Sequence, residues 1–318
     1  MMELVCSIVV RAYNEEAHIG RLFSGFNQQS ISNFEVILVD SGSTDATLGI
    51  VQGESWNFQV QVLSIQPEKF SFGRSLNLGI KQALSETIVI ASAHVYPVYP
   101  DWIEKLISPF SEPEVGLVYG KQRGGTTTRF PEHQIFARWY PDQSKIQISN
   151  PFCNNANAAI RKDLWKEHNY DETLSGLEDL EWANWAVNQG HQVAYMAEAE
   201  IVHLHEDTPN GVYNRYRREA MAFKRIFPQE QFGFLDFIKL FISNLISDAR
   251  IAKKETRLVK EFATILWFRM MQFWGTYRGY QQSGPLTQEL RQTFYYPGST
   301  SKPFAPESRS VKPIQYED

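Results

Sequence analysis

A chain of 318 residues, 43% hydrophobic and 14% aromatic, has the material for one large domain plus an appendage. Its net charge of −5 argues against a nucleic-acid binder, a class that is more often basic overall. The two cysteines, Cys6 and Cys153, have no metal-binding spacing and make no disulfide framework, which points to a reducing compartment.

Residues 4–10 form a short apolar run rich in β-branched side chains and read as a buried strand. Residues 15–26 carry Ile19, Leu22, Phe23 and Phe26 at helical spacing. A second strand is predicted over 34–39, ending at Asp40, and a helix over 45–51 capped by Ser43 or Thr44. Strands at 60–65, 87–91 and 115–119 then alternate with helices at 75–84 and 101–110. This alternation predicts an α/β fold, a Rossmann-like, mostly parallel sheet with helices on both faces. Ligands of such sheets bind beyond the carboxyl ends of the strands, where Asp40 and the Ser92-Ala93-His94 segment fall.

From 121 to 151 the pattern turns irregular, and a loop over the site is expected. A helix at 180–187 and a strand at 192–195 follow. The composition changes near residue 207, and beyond it lie two long helical patterns. The expected organisation is a catalytic domain over 1–210, a helical extension over 211–297 and a mobile Ser-, Pro- and Lys-rich tail over 298–318. No run of about 18 apolar residues occurs, and the first residues lack a basic stretch, so neither a spanning helix nor a signal peptide is expected.

Three segments carry most of the chemical signal. Arg11-Ala12-Tyr13-Asn14-Glu15-Glu16 is a polar turn after a strand, where helix N–H groups favour an anion; a plain helix cap is the alternative. Val39-Asp40-Ser41-Gly42-Ser43-Thr44-Asp45 ends an apolar strand on a carboxylate, and Asp45 suits the start of a helix. Gly176-Leu177-Glu178-Asp179-Leu180-Glu181-Trp182 sets two carboxylates at the start of an amphipathic helix, either a base or an ordinary acidic helix start.

Together these segments resemble the inverting glycosyltransferases of family 2, which have the GT-A fold, over roughly residues 5 to 206. The resemblance implies that Ala12, Tyr13 and Glu15 contact a nucleobase and ribose, and that Asp40 accepts from the base, commonly uracil or thymine. It implies that Asp179 is the catalytic base, with Glu178 raising its proton affinity through like-charge repulsion. Arg74, in Phe72-Gly73-Arg74-Ser75-Leu76-Asn77, would face the diphosphate or remain a surface arginine. Asn154 and Asn155 would meet sugar hydroxyls or form a turn, and Trp182 would lie near a sugar ring.

One departure stands out. Where the family usually places Asp-x-Asp, this chain has Ser92-Ala93-His94. Ser92 brings no charge, and His94, with His203 and His205 from a strand that sends both the same way, would hold metal or phosphate; the alternative is that His94 packs beside Tyr96 and Pro97 and the strand histidines hold no ligand. A divalent cofactor, Mn²⁺ or Mg²⁺, is expected, with His94 tilting the choice toward Mn²⁺.

The expected activity is transfer of a sugar from a nucleotide diphosphate sugar, UDP- or dTDP-linked, to a glycan or lipid-linked acceptor with inversion, in cell-surface polysaccharide or glycolipid synthesis. A non-catalytic sugar-nucleotide-binding regulator is the competing expectation, motivated by the missing Asp-x-Asp. A cytoplasmic protein is expected. Its extension, carrying Arg215, Arg217, Arg218, Lys253, Trp267, Phe268, Trp274 and Tyr277, would touch the inner face of the membrane, pack on the catalytic domain or meet a second copy in a homodimer.

Overall fold

The computed structural model describes residues 4–147, 151–205, 208–281, 302–303 and 311–316. At its centre β1 (Cys6–Ala12) and β2 (Phe34–Asp40) are buried on nearly every residue, because strands flank them and helices cover both faces. β1 pairs in parallel with β2 and with β4 (Thr87–Ser92), and β2 pairs in parallel with the edge strand β3 (Gln59–Ser64). Beyond β4, β8 (Asn157–Arg161) runs antiparallel and joins β6 (Val115–Arg123), which is parallel to β9 (Gln192–His203). β5 (Val95–Pro97), β7 (Lys145–Gln147) and β10 (Lys302–Pro303) complete a mostly parallel sheet ordered β10-β7-β9-β6-β8-β4-β1-β2-β3, with β5 on β9. This is the expected α/β, GT-A architecture.

The side-chain period of two divides the core. Ile8 and Val10 of β1 face α1 (Ile19–Asn27), α2 (Thr47–Gly53) and α4 (Trp102–Ile107), whereas Val9 faces α3 (Phe72–Gln82), α6 (Lys162–Glu167) and α7 (Glu178–Asn188). At Gly79 of α3 a Cβ would stand 2.5 Å from Val9 Cγ1, so only glycine lets the helix lie this close to the sheet. Cys6 and Cys153 are buried and unpaired.

Several expectations need correction. The predicted caps Ser43 and Thr44 do not cap α2; Ser43 Oγ accepts the Asn14 N–H, and Asp45 takes the Thr47 N–H. The stretch expected to be irregular contains α5 (Phe130–Trp139), begun by Pro131 in its first turn, as well as β7. β9 runs on to His203 because Glu198 and Glu200 interrupt its apolar run without ending it; Glu200 Oε1 is met by Arg123 Nε at 2.8 Å.

After residue 208 come three helices, α8 (Pro209–Ile226), α9 (Phe234–Lys254) and α10 (Leu258–Tyr280). α8 lies against α10 almost backbone to backbone: a Cβ at Gly275 would meet Tyr213 O at 2.4 Å, and one at Gly279 would meet Arg217 O at 2.5 Å. Of the aromatic residues that suited either an outer face or packing, Trp274 and Tyr277 pack in the helical cluster with Phe237 and Phe273, and Phe268 is fully buried. Residues 282–297 of the extension, and the tail apart from 302–303 and 311–316, lie outside the described residues. Residues 311–316 are held rather than mobile: Tyr316 donates its hydroxyl to Pro97 O, and the Ile314 N–H bonds Val98 O at 3.0 Å.

Arg269 fastens the extension to the catalytic part. Its guanidinium, 2% exposed, donates to Asp248 Oδ2 (2.7 Å) and Oδ1 (3.1 Å), Gln272 Oε1 (2.8 Å) and Pro131 O (3.2 Å), so α9, α10 and α5 share one cation. Removing one member of a buried pair leaves the other charge uncompensated. Arg269→Met is expected to lower unfolding free energy by about 3–5 kcal/mol in urea titration, and Asp248→Leu with Arg269→Met together by much less.

Candidate active site

β1, β2 and β4 end side by side, with Ala12 beside Asp40 and Arg11 beside Ser92. Two loops emerge there and are tied together. The Asn14 N–H bonds Ser43 Oγ, Thr44 N–H bonds Asn14 Oδ1, Glu15 N–H bonds Thr47 Oγ1, Glu16 N–H bonds Asp45 Oδ2, and Ala46 N–H bonds Glu16 Oε2. Asn14 holds φ +54°, in the left-handed region, to make this turn.

Next to this edge opens a cavity of about 540 Å³. Ser92, His94, Asn154, Asn155, Glu178, Asp179, His203 and His205 all line it, as do Arg11, Phe72 and, from α8, Asn214, Arg215, Arg218 and Glu219. A second cavity, of about 700 Å³, lies beside the amino ends of β6 and β9, around Glu112, Glu114 and Gln192, on the wrong side of the sheet for this kind of site.

Leu177, with φ +58°, turns the chain into α7 so that Glu178 and Asp179 enter the cavity as a buried pair. Their roles are separated by their partners. Arg11 Nη1 reaches Glu178 Oε1 at 2.9 Å, and Asn155 Nδ2 lies 3.4 Å from the same oxygen. Asp179 Oδ2 accepts the Asn155 N–H at 3.0 Å, and Oδ1 accepts the Leu180 N–H at 2.8 Å. Burial, and then the charge of Glu178, push the Asp179 carboxyl up to about 7, against those two N–H bonds and Arg11. A carboxylate poised near neutrality has the proton affinity of a general base. Phe72 carries a guanidinium over its ring from two elements, Arg11 at 4.8 Å and Arg218 at 4.9 Å, so α3, β1 and α8 meet at the rim.

Among the described residues, His94, His203 and His205 bring one ring nitrogen each within 4.8 Å of one another. Burial first, then neighbouring imidazoles, keeps His203 well below the usual histidine range, and burial with Arg215 does the same for His205. Neutral imidazoles are what a metal requires. The buried Nε2 of His203 has no hydrogen-bond partner, so the donor set fits a bound cation.

Other expected residues lie elsewhere. Trp182 is fully buried and donates its indole N–H to His168 O at 2.7 Å, so it belongs to the core and cannot meet a sugar. Arg74 does not line the cavity; it pairs at the surface with Glu172 at 2.7 Å. The Asp40 carboxylate accepts the Gly42 and Ser43 N–H groups at 3.0 and 3.1 Å and stands outside the lining, beside Ala12. Tyr13 is exposed, and Glu15 Oε1 meets His94 Nδ1 at 2.8 Å. Asn154 and Asn155 bond protein groups: Asn154 Oδ1 accepts from Gln122 Nε2 and the Ala156 N–H.

The contribution of α8 was missed by the sequence reading. Its signal is a polar stripe, Gly211, Asn214, Arg215, Arg218 and Glu219, repeating every three to four residues.

The family model of glycosyl transferase family 2 matches residues 7–168. The chain belongs to this family and is an inverting glycosyltransferase that uses a nucleotide sugar. It is similar to the O-antigen chain rhamnosyltransferase RfbN of Salmonella typhimurium, 25% identical over 288 residues that cover 84% of this chain and 90% of that one. Its fold matches the mannosyltransferase PcManGT of Pyrobaculum calidifontis, solved with GDP-Man and Mn²⁺ (TM-score 0.57, 17% identity, 88% and 85% of the two chains). It also matches residues 1–349 of Staphylococcus aureus TarS, solved with UDP-GlcNAc (TM-score 0.55, 16% identity, 89% and 93%).

A base acts only when ionised, so kcat/KM is expected to rise with pH through about 7, the value to which Asp179 is pushed. Glu178→Gln removes the like charge that raises Asp179, and the acid limb of the profile is expected at lower pH than in the wild type.

Proposed function

We propose that Asp179 takes the proton from an acceptor hydroxyl while that oxygen attacks the anomeric carbon of a UDP- or dTDP-linked sugar. The bond to the diphosphate breaks, its electron pair leaves on the phosphate oxygen, and the configuration at the sugar inverts. The observation that carries this reading is the division of the buried pair. Arg11 neutralises Glu178, while Asp179, held by two backbone N–H groups, keeps a raised proton affinity at the cavity wall.

The leaving diphosphate would lie between the loops at the ends of β1 and β2 and the histidine cluster. A divalent ion held by His94, His203 and His205 would supply positive charge to that group. Arg215 and Arg218 line the same cavity and bring further positive charge to it. The acceptor, a growing glycan or its lipid-linked form, would enter along α8. Similarity to an O-antigen chain rhamnosyltransferase supports a cell-surface polysaccharide as the product and a deoxyhexose as the sugar.

Asp179→Asn keeps the size of the side chain and one of its two accepted N–H bonds and removes the base. Turnover is expected to fall about 10²–10⁴-fold with donor binding retained, measured by product formation over a panel of nucleotide sugars and by donor-induced thermal shift. Turnover within a few-fold of wild type would remove Asp179 from this role.

The extension bears on where the reaction takes place. No described helix is long and apolar enough to cross a membrane. α9 and α10 nevertheless expose Leu235 (82%), Ile242, Ile246, Val259 (98%), Phe262 and Leu266, among the exposed cations Lys239, Arg250, Lys253, Lys254 and Lys260. That composition suits the surface of an anionic bilayer, consistent with a cytoplasmic enzyme that meets a lipid-linked acceptor. The full chain is expected to float with vesicles containing anionic lipid at low salt, and Leu235→Asp with Val259→Asp to stay in the soluble fraction. Equal flotation of both proteins, or a homodimer that buries this face, would remove the membrane contact.

A further inference from the structure

The histidine cluster occupies the place where carboxylates would favour Mg²⁺, and its supporting contacts are those of a nitrogen-donor metal site. Gln122 fixes the tautomer of His203. Its Nε2 donates to Asn154 Oδ1 at 3.1 Å, so its Oε1 faces His203 Nδ1 at 2.7 Å. A carbonyl oxygen can only accept, so Nδ1 of His203 carries the proton and Nε2 presents a bare lone pair. That nitrogen is buried and unpartnered, in a residue 5% exposed that lines the cavity. A buried acceptor left without a partner is costly, and a bound cation would satisfy it.

The other two rings also meet a carboxylate at Nδ1, and Nε2 of His94 lies 3.2 Å from the Ser92 hydroxyl, which an ion would displace. Nδ1 of His94 lies 2.8 Å from Glu15 Oε1, and Nδ1 of His205 lies 2.9 Å from Glu132 Oε1. Nδ1 of His205 is also 2.9 Å from Arg215 Nη1, which asks for the opposite tautomer. A ligating Nε2 requires the first arrangement, with the proton on Nδ1 and Glu132 as its acceptor. Carboxylate or amide oxygens behind each imidazole are the usual outer support of metal-binding histidines. Bonds of about 2.1 Å to an ion put tetrahedral nitrogens about 3.4 Å apart. The present limit of 4.8 Å therefore asks for only a small contraction of the rings.

We infer that His94, His203 and His205 form a three-imidazole site for a first-row transition ion of the Co²⁺ and Zn²⁺ kind, and that this site discriminates against Mg²⁺. Mg²⁺ prefers oxygen ligands in an octahedron and keeps its water, whereas imidazole binds the later divalent ions more strongly. The inference rests on the proposed transferase reading only for what the ion would face; the ligand set stands on its own geometry. Ser92 and Ala93 add no charge, so the ion would keep most of its positive charge for an anionic ligand in the cavity.

The test uses the full chain without a histidine tag, stripped by a chelator and titrated with Co²⁺. A nitrogen-rich site of low coordination number is expected to give intense visible absorption at one equivalent. Zn²⁺ is expected to abolish it at equimolar concentration, and Mg²⁺ to leave it unchanged at a thousandfold excess. His203→Ala and His94→Ala are expected to lose the band, with melting curves confirming that each is folded; His94, partly exposed, guards against loss by misfolding. Gln122→Leu keeps every ligand and is expected to weaken Co²⁺ binding about 10–100-fold. His94→Asp is expected to let Mg²⁺ compete. Displacement of Co²⁺ by Mg²⁺ from the wild type, or a band unchanged in both alanine variants, would overturn the inference. Donor binding and sugar transfer by the wild type with no Co²⁺ band overturn the metal site alone. An intact band in a protein that neither binds nor transfers any nucleotide sugar overturns the transferase reading alone.

Discussion

Two carboxylates on consecutive residues, both buried, repel each other strongly unless something separates them. Here a guanidinium does so. Arg11, at the end of the first strand, crosses to Glu178 at 2.9 Å and makes one member of the pair an ion-pair partner. Asp179 is held in place by two backbone N–H groups, and burial and then the charge of Glu178 raise its proton affinity against those bonds. The contact joins residues 167 positions apart, so it also ties the end of the first strand to the helix that carries Asp179. The left-handed Leu177 belongs to the same constraint, since only that turn delivers both side chains into the cavity at once.

The central sheet was legible because its strands are apolar on both faces and are punctuated by polar ends at Asp40 and Ser92. His94, His203, His205, Asn154, Asn155, Glu178 and Asp179, far apart in the sequence, line one cavity beside the carboxyl edge. What failed were side-chain directions. Trp182 follows the acidic pair on the same helix, but the face it occupies is set by packing on Tyr170 and Trp185, and no pattern in seven residues reveals that. Arg74 is captured by Glu172, 98 positions away. α5 was hidden because its short helix follows a Gly- and Thr-rich run and contributes only Phe130 and Phe136 to the buried apolar core.

The extension is part of the cavity wall. Gly275 and Gly279 let α10 press against the backbone of α8, and Arg215 and Arg218 of α8 line the cavity. Arg269, at the other end of the hairpin, anchors α9 and α10 to Pro131 of α5, whose Glu132 in turn meets His205 and Arg215. The helical segment and the strand edge therefore share charged groups through α5, and the histidine cluster lies at their junction.

The stitching between the loops after β1 and β2 has an evolutionary corollary. Each of the five bonds has a main-chain amide at one end, and each joins one loop to the other. A replacement of Ser43, Thr47 or Asp45 strands an amide of the opposite loop, and a replacement of Asn14 or Glu16 does the same in reverse. Drift in one loop is thus penalised by the other. Grafting a single loop from a relative with a different base preference would import half of a lock, so the two stretches are inherited, and must be exchanged, as one cassette.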